Sequence, residues 1–249
     1  MSDSRHSSDR FRYLLWSLYA VASLLTALLL SWQMLRSVDF LYPLWYELLD
    51  IDQTVAEYGP RNRNRHQFEL TDHTEHQRLF AAIVTAIHHD GAGLTTLTYQ
   101  RPDGRPIGTL LTDPEVVHLR DVARLVSVLL IVGWVALIGW LLLAGLLIIS
   151  RRPPPTVGTV ITVLVVLLIP VALIIMVFGP VTVFYRLHEW IFPAGHQWFF
   201  YYRDSLMTTL MKAPLIFGPI AALLTVLTAI WMAVLSHIVV VLSRRRSAN

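Results

Sequence analysis

Cysteine is absent from all 249 residues. Disulfides, thiolate metal centres and a cysteine nucleophile are therefore excluded, as is a lipid anchor on the chain's own cysteine. Charge is scarce too: Asp, Glu, Lys and Arg make up 15% of the chain, against about a quarter in a soluble domain. The long apolar runs carry almost no ionisable side chain, which leaves a transporter no charged pathway to line. Neither a GxSxG elbow, an HExxH pair, a phosphate loop nor an HxxxxD acyltransferase box occurs.

What is abundant is apolar surface, 55% of the residues, gathered into four blocks. Each block is long enough for the ~30 Å hydrocarbon core of a bilayer. The fold class expected is membrane all-α: four transmembrane helices with a small α+β extracytoplasmic cap. The organisation reads as a cytoplasmic N-terminus (1–12), a first span (13–35), the cap (36–121) and a second span (122–150). A cytoplasmic loop (151–156), a third span (157–179), an outer loop (180–213), a fourth span (214–242) and a cytoplasmic C-terminus (243–249) follow. The first span is too long for a signal-peptide core and has no small-residue cleavage site, so it reads as retained. Pro170 marks a kink in the third.

Arginines set the orientation. Arg5, Arg10 and Arg12 precede the first span, Arg151 and Arg152 join the second and third, and Arg244, Arg245 and Arg246 follow the fourth. With four spans all three groups face the cytoplasm, and the only acidic residues after Asp121, Glu189 and Asp204, face outward. The net charge of +3 thus reads as orientation signals and headgroup contacts, not as a nucleic-acid surface. The expected location is the cytoplasmic (inner) membrane, multi-pass, with both termini cytoplasmic.

In the cap, Phe40, Leu41, Leu44, Trp45, Leu48, Leu49 and Val55 predict one amphipathic helix, stopped by Gly59-Pro60, its apolar face lying either on the bilayer surface or on the cap. Arg61–Arg65 reads as a solvated loop. Asp72 and Glu75 have capping-box spacing ahead of a helix with Leu79, Phe80, Ile83, Val84 and Ile87 as its buried stripe and Gly91 as its end. Residues 94–99 and 106–111 predict two strands around the turn Arg101-Pro-Asp-Gly104. Thr112-Asp-Pro-Glu115 starts a helix that continues unbroken into the second span.

Histidines are the candidates for chemistry. His118 and Asp121 are three apart, hence on one helix face, at headgroup level. The outer loop is a dense aromatic segment that carries Arg186, His188, Glu189, His196, Arg203 and Asp204; beside a bilayer such groups are paired or functional. His118 and His188 fall on the same membrane face at similar depth, where two imidazoles can do acid–base and oxyanion work. His73 and His76 supply only two metal ligands and read as a solvated face. His88 and His89 read as partners of a helix C-terminus, and His237 as hydrogen-bonded within the bundle. No metal and no cofactor is expected.

These segments resemble the lipoprotein intramolecular transacylase family. Thr112-Asp-Pro-Glu-Val-Val-His-Leu-Arg-Asp-Val122 is similar to the stretch that leads into that family's second span. Phe184-Tyr-Arg-Leu-His-Glu-Trp-Ile-Phe192, followed by Gly195, Trp198 and Asp204, is similar to its second outer loop, and Asp39-Phe-Leu-Tyr42 also fits. The chain departs from the family where Lys212-Ala-Pro-Leu215 stands in place of a Phe-Pro-Glu. The resemblance implies a diacylglyceryl-modified lipoprotein as substrate, with membrane lipids around it. The sn-2 acyl chain would move to the α-amino group of the modified Cys, giving the lyso-form. It implies His118 and His188 as the catalytic pair, with the division of labour between them open. Asp121, Arg186, Glu189, Trp198, Arg203 and Asp204 would bind substrate or orient the rings: Asp121 or Glu189 an imidazole, Arg186 and Arg203 carbonyl or headgroup oxygens.

Two other readings compete. A non-catalytic sensor or scaffold with a binding cap predicts dispensable histidines. A different lipid-modifying enzyme predicts activity on free phospholipid.

Overall fold

In the computed structural model, which describes residues 2–150 and 155–248, four helices are long and apolar enough to cross a membrane. They are α1 (Ser2–Arg36), α5 (Asp113–Ile149), α6 (Val157–Phe178) and α9 (Phe217–Ala248). Between them lie α2 (Tyr42–Leu48), α3 (Ile51–Tyr58), α4 (His73–Ile87), β1 (Thr98–Gln100), β2 (Pro106–Thr109), α7 (Pro180–Ile191) and α8 (Leu206–Met211). The chain is thus mostly helical with one small two-stranded hairpin. The expected Arg151–Arg152 turn lies outside the described residues.

The chain divides into two compact units. One comprises residues 1–34, 130–177 and 223–249. Its core joins Leu15, Tyr19 and Ala27 of α1 to Trp140, Ala144 and Leu147 of α5 and to Met232, Leu235 and Val239 of α9. A side chain at Gly133 would stand 3.0 Å from Leu29, so α1 and α5 approach closely there. Ser23 and Ser31 donate to the carbonyls of Tyr19 and Ala27 in their own helix, which satisfies hydroxyls where lipid offers no partner. The apolar side chains described for α6 are exposed, as lipid contact demands. His237, expected to hydrogen-bond within the bundle, is exposed on α9.

The other unit comprises residues 35–129 and 178–222. The single amphipathic helix expected after the first span is a 3-10 turn followed by α2 and α3, separated at Asp50, whose φ is +47°. The face packed on the cap is the tyrosine face, and two of the leucines stay outside it. Tyr42 and Tyr46 are buried while Leu44 and Leu48 are exposed, because Tyr42 stacks on Phe80 of α4 at 4.0 Å and donates to the Leu210 carbonyl.

Asp72 caps α4 by accepting from the Glu75 N–H at 2.9 Å. Glu75 itself does not reach back; its carboxylate takes Arg78 and the Gln100 N–H. Beyond the last turn, Gly91 at φ +80° donates to the Ala86 carbonyl, a conformation a Cβ would strain. His88 and His89 donate from Nδ1 to the last-turn carbonyls of Val84 and Thr85, as predicted.

His76, expected on a solvated face, is buried between Tyr46 and Thr71 and hydrogen-bonds both. Burial pushes its pKa down to about 4, so it is a neutral element of the core. The strands are shorter than predicted, since residues 94–96 form a 3-10 turn. The hairpin pairs Thr98 with Thr109 and Tyr99 with Gly108, and Gly104 closes its turn onto Arg101.

The Arg61–Arg65 segment is docked, in contrast to the solvated loop expected. Asn62 is buried and its side-chain oxygen accepts from the N–H groups of Asn64 and Arg65. Arg63 donates from its backbone to the Arg203 carbonyl and pairs with Asp204 at 3.3 Å.

Candidate active site

Two helix beginnings fix the two imidazoles. Thr112 precedes α5, and the Glu115 carboxylate reaches back to the Thr112 N–H (2.6 Å) and hydroxyl (2.7 Å). The fully buried Glu115 also accepts from Ser205, whose Oγ in turn caps α8 by accepting from the Thr208 N–H. One carboxylate therefore ties the start of α5 to the outer segment. Glu115→Ala, which strands those donors, is expected to cost about 2–5 kcal/mol, while Glu115→Gln keeps an acceptor and loses less. Thermal unfolding in detergent reads this directly; an Ala variant melting with the parent contradicts it.

The 37 residues of α5 rise about 55 Å, well beyond a ~30 Å hydrocarbon core. Its uncharged run begins at Leu125, so His118 stands two turns earlier, on the protruding part.

Gly179 (φ +79°) turns the chain out of α6, and Pro180 opens α7 where a missing N–H costs nothing. Along α7, Phe184 and His188 share a face, and His188 Nδ1 lies 2.8 Å from the Phe184 carbonyl. A carbonyl only accepts, so Nδ1 carries the hydrogen and Nε2 the lone pair. Leu187, Trp190 and Ile191 of the same helix are exposed.

The rings of His118 and His188 lie 6.2 Å apart, centroid to centroid. Around them stand Phe192, 4.9 Å from His118 and 5.2 Å from His188, Phe200 at 6.1 Å from His118, and Phe184 and Trp198 at 3.9 and 5.1 Å from His188. Burial among these aromatics pushes His118 down to about 4, aided by the neighbouring His188 and opposed by Asp121. Burial lowers His188 too, against its bond to the Phe184 carbonyl. Both rings are neutral at pH 7: an uncharged base beside a second neutral donor, in apolar walls.

Of the residues predicted to serve this pair, Trp198 is in contact with it. Asp121 orients an imidazole, but that of His196, whose Nδ1 is 2.6 Å from its carboxylate; Arg124 stands 3.6 Å from its other oxygen. Glu189 contacts neither ring and pairs with Arg186 at 2.9 Å on the exposed side of α7. Arg203 and Asp204 are engaged with the docked Arg61–Arg65 segment. Sequence reasoning noticed His196 but gave it no role, because its partner is 75 residues away. Among the described residues no group of three or more His, Asp or Glu is placed to hold a metal ion.

Residues 17–213 match the family described as lipoprotein intramolecular transacylase Lit. Among solved structures, the chain is similar to the in meso structure of the membrane integral lipoprotein intramolecular transacylase Lit from Bacillus cereus, which carries a histidine-to-arginine mutation. The TM-score is 0.71 at 12% identity, over 100% of this chain and 99% of that one, a likeness of fold. No curated protein matches the chain. With a family match over well more than half its length, the chain belongs to the lipoprotein intramolecular transacylases, multi-pass membrane enzymes that act on lipoproteins.

Proposed function

We propose that this enzyme moves the sn-2 acyl chain of a diacylglyceryl-modified lipoprotein to the α-amino group of its N-terminal Cys, leaving an N-acyl, S-monoacylglyceryl product. The observation that carries the reading is the neutral His118–His188 pair enclosed by aromatic rings at the protruding end of α5. The amine and the ester belong to one molecule, so no enzyme nucleophile is required. Holding the two groups together contributes up to roughly 7–11 kcal/mol for well-oriented intramolecular reactions.

The tautomer divides the labour. The amine nitrogen attacks the ester carbonyl carbon, and His188 Nε2, free because Nδ1 is committed to Phe184, takes the proton from that nitrogen. His118 donates a hydrogen bond to the oxyanion. The bond from the acyl carbon to the glycerol oxygen breaks, and that oxygen receives the proton from His188. One N–C bond forms, one C–O bond breaks, and the proton ends on glycerol.

Trp198 and the Phe rings wall the acyl chains. Arg186, exposed and held by a surface pair of about 0–1 kcal/mol, is available to headgroup or carbonyl oxygens. Arg203 and Asp204 support the site through the Arg61–Arg65 segment and do not touch the imidazoles. The site faces the outer side of the cytoplasmic membrane with both termini inside; the arginine distribution supports this orientation.

The test is a synthetic diacylglyceryl lipopeptide with an isotopically distinct chain at each glycerol position. Mass spectrometry should find the sn-2 label on nitrogen and the sn-1 label on glycerol. The sn-1 label on nitrogen, or a label released as free acid, would sink the proposal.

A further inference from the structure

We propose that His196 is a positioning residue: gripped by Asp121, it holds the segment between α7 and α8 so that Trp198 and Phe200 close the aromatic walls around His118 and His188. The inference rests on the catalytic reading of that pair and adds a residue that reading does not use.

Residues 192–205 form no regular helix or strand, so side-chain ties must place them. The ends are tied. The Phe192 N–H donates to the His188 carbonyl, Thr209 donates to the Tyr202 carbonyl, and Arg203 and Asp204 bond the Arg61–Arg65 segment. Gly195, at φ +93°, turns the chain in between, and the hydrogen bonds made by the Pro193 and Phe199 carbonyls stay inside the segment.

The hydrogen bond from the middle of the segment to another element is His196 Nδ1 to Asp121 at 2.6 Å. Asp121 is a sound anchor. It is buried on α5, three residues from His118 and on the same face, and a contact made to a helix is held more firmly than one between loops. From this pin, residues two and four further on are Trp198, 5.1 Å from His188, and Phe200, 6.1 Å from His118. His196, Trp198 and Phe200 all reach α5 or α7, and Phe199 between them packs on Tyr185 of α7 at 5.6 Å. A carboxylate on the helix that bears one imidazole therefore sets the wall around both.

The test uses the full-length enzyme in detergent with a diacylglyceryl lipopeptide, following lyso-form production by mass spectrometry. His196→Ala and Asp121→Ala should each lower kcat about tenfold to a hundredfold, with KM changed far less, because a misplaced wall spoils the reacting geometry. The double variant should be no slower than the slower single one, since both remove one interaction. His196→Asn, whose amide N–H stands where the imidazole Nδ1–H does, should recover most of the rate, and melting curves should stay close to the parent's.

Additive losses, unchanged rates, or an Asn variant as slow as the Ala variant overturn the proposal. So does a loss that follows a collapsed melting temperature and that Asn does not restore. His118→Ala and His188→Ala, run alongside, separate the two ideas. If they remain fully active the catalytic reading fails; if they are inactive while His196→Ala is normal, the positioning role alone fails.

Discussion

Lyso-form production is expected to climb about sevenfold between pH 6.5 and 7.5 and to level off only near pH 9. The sign follows from which group must lose a proton. The substrate's α-amine, with an ordinary pKa of about 7.7–8.0, attacks only when neutral, so its neutral fraction rises through this window. The imidazoles contribute the lesser part of that rise. His118 is pushed down to about 4 and His188 below the ordinary histidine value, both chiefly by burial, so the neutral form of each ring already predominates at pH 6.5 and above.

Below that, protonation of His188 removes the base and the profile should steepen. An unburied pair would instead titrate near 6.5 and steepen the profile higher, close to neutrality. The decisive comparison uses two lipopeptides whose amines differ in pKa. The rising limb should move with the substrate amine. A limb that stays near 6.5 with both substrates would show that an exposed histidine controls the rate and that the buried-pair description is wrong.

The four apolar helices were legible because the signal is a long uncharged run, as in the stretch from Leu125 to Ile149, which needs no tertiary information. The cap of α4 was equally local: Asp72 bonds a neighbour three residues on. The family resemblance likewise rested on short stretches around His118 and His188, and membership in an enzyme family removes the scaffold reading.

What could not be read depended on distant partners or on the backbone. Apolar spacing runs through Asp50 as though one helix continued, yet the left-handed residue there divides α2 from α3. Nothing in the local pattern says that Tyr42 and Tyr46 outcompete Leu44 and Leu48 for the core; Phe80, His76 and Leu210, all far along the chain, decide it. Asp121 looked like a partner for His118 at helical spacing but turned to His196, and Glu189 paired within its own exposed face. Burial of the two candidate rings, which sets their protonation, depends on Phe192, Trp198 and Phe200, residues with no regular secondary structure to predict.

His118→Gln and His188→Gln, each verified as folded by its melting curve, test most directly whether the paired rings do the proton work. General acid–base catalysis by a positioned group contributes about 10²–10⁴-fold. With an intact diacylglyceryl lipopeptide and mass-spectrometric detection, both variants should therefore yield almost no lyso-form in the time the parent converts its substrate. Conversion at the parental rate by either folded variant would contradict a proton-transfer role for the pair.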